Sequence, residues 1–336
     1  MVHRYNRTLK LTGWFVAATA GLLLSVFFAV SYGAKELTLP AVWSAVFHYD
    51  AASTADQIIY NLRLPRVLGA VLTGMAFAVA GAIMQGVTRN PMADTGILGI
   101  NAGSSLVVAL SFAFLPALSY TGLMTLSFVG AALATLLIVV LGAATPGGLS
   151  SMKLTVAGAI IAAMLHSLST GVALYYDLSQ DLAFWYAGGV GGIGWNQLKL
   201  LAPIILLTIL WTITLGRPIT FLSLGEESAV NLGVRVRLIK VLAMTAVVIL
   251  AGVSVSAAGA ISFIGLVVPH MARRLVGVDY RVVIPFSALL GAILLVWADL
   301  ASRMVQPPRE FAIGAMVAIV GVPFFLVLAR REGREL

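Results

Sequence analysis

The stretch GAISFIGLVVPHMARRLVG, Gly259 to Gly277, decides the fold. It is apolar, carries no acid, and ends in a basic cluster of His270, Arg273 and Arg274. Pro269 lacks a backbone N–H and predicts a break within it. A soluble domain has little use for such a segment. A membrane protein with a short helix that stops at the cytoplasmic face does.

Composition extends that reading to the whole chain. Of its 336 residues 60% are hydrophobic and 10% charged, against roughly 25% charged in soluble domains. The mean hydropathy is +1.01. A spanning helix needs about 20 apolar residues, and ten such segments are predicted, near 11–33, 64–87, 94–115, 120–143, 154–175, 197–215, 238–258, 261–275, 282–301 and 312–329. The runs do not alternate, so the fold class is an all-α polytopic membrane protein and not a barrel. Residues 1–336 read as one transmembrane domain, with no soluble domain between the spans. The run from Leu11 to Gly33 is too long for a typical signal core and reads as the first span. With no cysteine, disulfides and thiolate sites are excluded. The net charge of +8 suits loops facing anionic lipid before nucleic acid.

Alternating the spans from a cytoplasmic N-terminus puts 15 of the 21 Lys and Arg inside, with both termini cytoplasmic. Arg63, Arg66 and Arg303 are exceptions at outer span ends. Lipid anchoring or docking of an acidic partner would each account for them.

In the fifth span Ala159, Ala162, Ala163, His166, Ser169 and Thr170 share a helical face. Gly74, Ala78, Gly81, Gln85 and Thr88 form a similar stripe in the second, and Gly99 and Gly103 open the third. Close helix packing accounts for such stripes. The alternative is lining of a pathway, with His166 and Gln85 as its polar members. Charged residues deep in the spans are nearly absent, unlike ion-coupled carriers. None of the five lysines is followed by Ser or Thr, so the chain holds no Walker A nucleotide site. No catalytic constellation is present.

The longest inner connection is LSLGEESAVNLGVRVR, Leu222 to Arg237. Glu226 and Glu227 suit a helix first turn, Ala229, Val230 and Leu232 give a small apolar face, and Gly233 is placed to end it. About two turns are not stable alone. The helix either lies on lipid or docks into a cytoplasmic subunit.

These residues bring the chain to a known family. LRLPR (Leu62 to Arg66), GAIMQGVTRNPMADTGILGINAG (Gly81 to Gly103), LGEESAVNLGV (Leu224 to Val234), GAISFIGLVVPHMAR (Gly259 to Arg273) and ADLASR (Ala298 to Arg303) resemble blocks of FecCD/BtuC-type permease subunits of ABC importers. Such importers carry ferric siderophores, vitamin B12 or haem. The resemblance implies ten spans in a type II importer permease fold and a second permease subunit, identical or related. It also implies two cytoplasmic ATPases that hold ATP and Mg, and an extracellular lipoprotein-type binding protein. This chain would bind no cofactor and be no enzyme. Arg63, Arg66 and Arg303 match docking arginines for the binding protein. Leu224, Gly225, Glu226, Glu227, Ala229, Leu232 and Gly233 match the coupling helix. Asn90 and Met92, with Ser151 and Met152, match the cytoplasmic gate, and the fifth span matches the pathway-lining helix. A ferric siderophore is the expected substrate in a bacterial cytoplasmic membrane. Ala260, where siderophore members carry Pro, and GGVGGIGW (Gly188 to Trp195) are B12-like. An ion-coupled carrier is the rival from another class.

Overall fold

The computed structural model describes residues 2–33, 39–144, 151–307 and 309–332. In chain order the helices are α1 (Val2–Ser31), α2 (Leu39–Phe47), α3 (Thr54–Gln57), α4 (Leu64–Thr88), α5 (Ile100–Phe114), α6 (Tyr120–Ala144) and α7 (Ser151–Tyr175). They continue as α8 (Ser179–Ala187), α9 (Trp195–Ser223), α10 (Glu226–Asn231), α11 (Val236–Ala258), α12 (Ile264–Val276), α13 (Tyr280–Met304) and α14 (Ile313–Glu332). Each of the ten predicted segments falls on a helix. Seven helices among the described residues are long and apolar enough to cross a bilayer, while α5, α12 and the apolar part of α14 are shorter. The protein is a multi-pass membrane protein built of helices. Its surface carries Leu133, Leu136, Ile160, Leu207, Leu210 and Ile319, all more than half exposed. An apolar exterior of that kind faces lipid or other subunits.

Helix α4 is the axis. It packs against α13, α11, α9, α12 and α1, and is buried along nearly its whole length. Its small residues make this possible. A methyl group on Gly74 would collide with the backbone of Gly291 in α13, and one on Gly81 with the backbone of Gly265 in α12. The stripe read from the sequence is therefore packing, since small residues let backbones approach where no hydrophobic force separates helix from lipid. Gly103 likewise meets Gly130 of α6.

The structure corrects several boundaries. Pro269 lies inside α12 and does not break it. Proline at this position leaves the carbonyl of Gly265 without its helical donor. Gln85 supplies one, its Nε2 donating to Gly265 O at 3.1 Å and to Leu266 O at 3.2 Å. Gln85, fully buried, is thus a packing residue rather than a pathway liner. The break falls instead before α12, at Gly259 (φ 71°) and Phe263 (φ 70°). The third span begins at Ile100, because Asp94 caps a 3-10 turn at Thr95–Leu98 and Gly99 takes a left-handed conformation. The second extends back to Thr54 through a π-helical stretch at Ile58–Arg63. The sixth runs to Ser223 with Pro218 inside it, and its Gly216 packs on the backbone of Arg281.

Gly81→Ala is expected to destabilise by about 1–3 kcal/mol through overpacking against α12. Gly171→Ala, where nothing lies within 4 Å, is expected to be neutral or slightly stabilising. Thermal unfolding in detergent checks both.

Candidate functional site

The predicted site residues separate to the two ends of the bundle and to α7. At one end Arg63, Arg66 and Arg303 come together, but they do not stand free. Arg63 and Arg303 are buried, at 8% and 7% exposure. Arg63 Nη1 donates to Val30 O (2.9 Å) and Ser31 O (2.8 Å), and Arg303 donates to Ala29 O (3.0 Å) and Tyr32 O (3.3 Å). These carbonyls end α1, and a helix C-terminus carries unpaired acceptors and partial negative charge. Two of the three predicted docking arginines therefore cap α1. Arg66 Nε donates to Asp299 Oδ1 at 2.9 Å, while Nη1 and Nη2 form a bidentate pair with Glu310 at 2.6 and 3.0 Å. Asp299 also lies 3.1 Å from Arg303, so it links the cluster. The Arg66 pair holds the Glu310 carboxyl below the usual carboxylate range.

Sequence reading placed the three cations together and missed their acids. The signal was available in part: Asp299 and Arg303 stand at i, i+4 spacing in one helix. Glu310 offered none, because its pairing to Arg66 spans 244 residues.

At the opposite end, the predicted coupling segment forms α10, shorter than expected. Leu224, Gly225, Leu232 and Gly233 lie outside the helical residues, and Gly225 and Gly233 both have positive φ. Ala229 is fully buried against the bundle. Leu224, Val230 and Leu232 are instead exposed, at 65%, 60% and 56%, and Glu227 is exposed beside them. The apolar face foreseen for Ala229, Val230 and Leu232 is thus split, one residue inward and two outward. Glu226, its side chain 45% exposed, pairs with Lys240 Nζ at 2.6 Å and Arg89 Nη2 at 3.7 Å. Hydrogen bonding from Lys240, with the charge of Arg89, keeps its carboxyl below the ordinary range.

Arg89 ends α4 in a left-handed conformation, φ 54°, and precedes predicted gate residue Asn90. Asn90 is exposed and its Oδ1 accepts from Met92 N at 2.9 Å, closing a tight turn. The following turn, Thr95–Leu98, packs against α7, whose first residues are Ser151 and Met152. The turn that follows the first gate segment thus meets the helix that begins with the second. The Ser151 and Met152 side chains lie outside the described residues, as does Ser150.

On α7, Ala159, Ala163, His166 and Thr170 are exposed, Ala162 is half-buried, and Ser169 is buried with Ile161 and Leu165 on the face toward α5. The stripe is therefore open along most of its length, with Ser169 turned away from it. Tyr186 of α8, which sequence spacing could not pair with α7, lies 2.9 Å from His166 Nδ1 and 3.1 Å from Ser169 Oγ.

Residues 21–331 match the model of the FecCD transport family. The chain belongs to the FecCD transport family. Among curated FecCD-like relatives, it is 47% identical to the iron(3+)-hydroxamate import system permease protein FhuB of Bacillus subtilis, over 96% of this chain and 84% of the relative. It is 41% identical to the iron-uptake system permease protein FeuB of the same organism, over 99% and 98%. Among solved structures, an inward-facing conformation of a putative metal-chelate type ABC transporter superposes with TM-score 0.83 at 26% identity, covering 94% of this chain and 98% of the other. The helical order and packing described here are thus those of an ABC transporter permease.

Because Glu226 is depressed chiefly by Lys240, its contacts hold above the ordinary glutamate range and fade only as pH falls below it. In this FecCD chain Lys240→Met is expected to raise the Glu226 pKa toward the ordinary value. Isotope-edited titration of the Glu226 carboxyl checks this.

Proposed function

We propose that this chain is the membrane-spanning subunit of an ATP-driven importer for a ferric siderophore. It sits in a bacterial cytoplasmic membrane with both termini in the cytoplasm. The observation that carries this reading is the segment around α10, in which Glu227 and Val230 of the helix and flanking Leu224 and Leu232 are exposed while Glu226 is held by Lys240 and Arg89. An exposed apolar pair of turns that is too short to stand alone fits a cleft in a cytoplasmic subunit. The Glu226 ion pair reaches Arg89, the residue before gate residue Asn90. Family membership supports the same assignment, and the hydroxamate and iron-uptake relatives support the substrate class.

In this mechanism two permease subunits, two copies or two relatives, enclose the pathway. The exposed face of α7, Ala159, Ala163, His166 and Thr170, lines it, with Ala162 at its edge. ATP and Mg act on two partner ATPases, for this chain holds no Walker A sequence and makes and breaks no bonds. Closure of the ATPases displaces the segment Leu224 to Gly233, and the gate at Asn90, Met92, Ser151 and Met152 responds. An extracellular substrate-binding protein of the lipoprotein kind delivers its cargo at the end that carries Arg63, Arg66 and Arg303. Arg63 and Arg303 cap α1, and Arg66 pairs with the exposed Glu310. A vitamin B12 or haem permease would share this mechanism, and the B12-like residues at Ala260 and Gly188 to Trp195 keep that reading second.

Leu224→Asp with Leu232→Asp is expected to abolish co-purification of the ATPase subunits while leaving the folded permease intact, since both side chains are surface-exposed. Unchanged co-purification would refute the coupling role of α10. For substrate, deletion of the gene is expected to stop uptake of a radio-iron ferric hydroxamate and spare labelled haem and B12. Loss of haem or B12 uptake instead would move the assignment to that cargo.

A further inference from the structure

Arg66 has two acidic partners that differ in every respect that governs exchange. Asp299 is 1% exposed, lies within α13 and grips the inner edge of the guanidinium through Nε and Nη2. Glu310 is 52% exposed and covers the outer edge as a bidentate pair. It stands in the non-helical connection between α13 and α14, where Phe311 N donates to Ser302 O at 2.9 Å. With a side chain only 13% exposed, Arg66 has no open edge to which a further carboxylate can add. Any acidic group that reaches it must take the position of Glu310. Loss of Glu310 would leave the guanidinium paired with Asp299, so the exchange strands no buried charge.

We propose that Glu310 is an internal stand-in for an acidic side chain of the docking protein, displaced from the outer edge of Arg66 when that protein binds. The proposal rests on the docking reading of Arg66 given above. Planar bidentate recognition suits this exchange, because a second carboxylate reproduces the same two hydrogen bonds in the same plane. The exchange also gives the docking site selectivity. A partner with a correctly placed carboxylate matches what it removes, whereas a neutral or basic surface leaves Glu310 in place. Displacement releases the connection at 309–312, which leads directly into α14.

The test measures affinity of the cognate substrate-binding protein, taken from the host by co-purification, for the assembled transporter in nanodiscs. Glu310→Gln keeps the size and hydrogen-bonding capacity but removes the charge, and it is expected to tighten binding several-fold, most at low salt. Arg309→Gln, on the neighbouring exposed residue, serves as the control for general charge effects. Arg66→Gln leaves Asp299 paired with Arg303, so no buried acid is orphaned, and it is expected to weaken binding. Unchanged or weaker binding in Glu310→Gln, with weaker binding in Arg66→Gln, would overturn the stand-in and leave the docking reading standing. No effect in either would overturn the docking reading and the proposal with it.

A second measurement needs no partner. The chain has no cysteine, so Glu310→Cys introduces its sole thiol. That thiol is expected to react faster with an anionic methanethiosulfonate reagent than with a cationic one, by a ratio larger than the same comparison for Arg309→Cys. Equal ratios would overturn the proposal.

Discussion

The structure depends on how closely α4 can approach its neighbours. Between helices in lipid there is little hydrophobic gain, so association rests on van der Waals contact and on internally satisfied polar groups. At Gly74 with Gly291 and at Gly81 with Gly265, the absence of side chains lets backbone meet backbone. Helices α12 and α13 are thereby seated against one rigid axis. The two ends of that axis carry the two functional regions: Arg63 and Arg66 at its start, Arg89 and Asn90 at its finish.

Several backbone carbonyls that this packing leaves in the interior are answered by side chains. Pro269 frees a carbonyl in α12 and Gln85 occupies it. The carbonyls that end α1 receive two guanidinium groups. Thr73 and Thr208 return their hydroxyls to carbonyls four residues back, within their own helices. Each answer matters because an unsatisfied backbone group in hydrocarbon costs several kcal/mol. The arginines of the Arg66 end therefore have a structural duty as well as a proposed functional one. Arg63 and Arg303 hold α1, while Arg66 shares an exposed acid with the surface.

Much of this was legible in the sequence. Long apolar runs gave the helices, the glycine and alanine spacing on α4 gave its packing face, and ordered blocks of residues gave the family. What sequence could not supply were pairings between distant segments. Glu310 meets Arg66, Tyr186 meets His166, and Glu226 meets Arg89 only because the bundle brings them together. Pro269 misled for the same reason: the break expected from its missing donor is cancelled by a side chain 184 positions earlier, in α4. Likewise the apolar face of α10 is set by what it leans on. Ala229 finds the bundle and Val230 finds the surface, a division that periodicity alone over six helical residues does not define.

The central claim is that the free energy for transport enters through separate ATPase subunits at α10, with no ion-coupling site in the membrane. The most direct measurement is uptake of a ferric hydroxamate, presented with its binding protein, into proteoliposomes holding the permease pair with and without those subunits. The account predicts accumulation only when the ATPases and ATP are both present, unaffected by ionophores. Accumulation by the permease pair alone, driven by an imposed proton or sodium gradient, would contradict it.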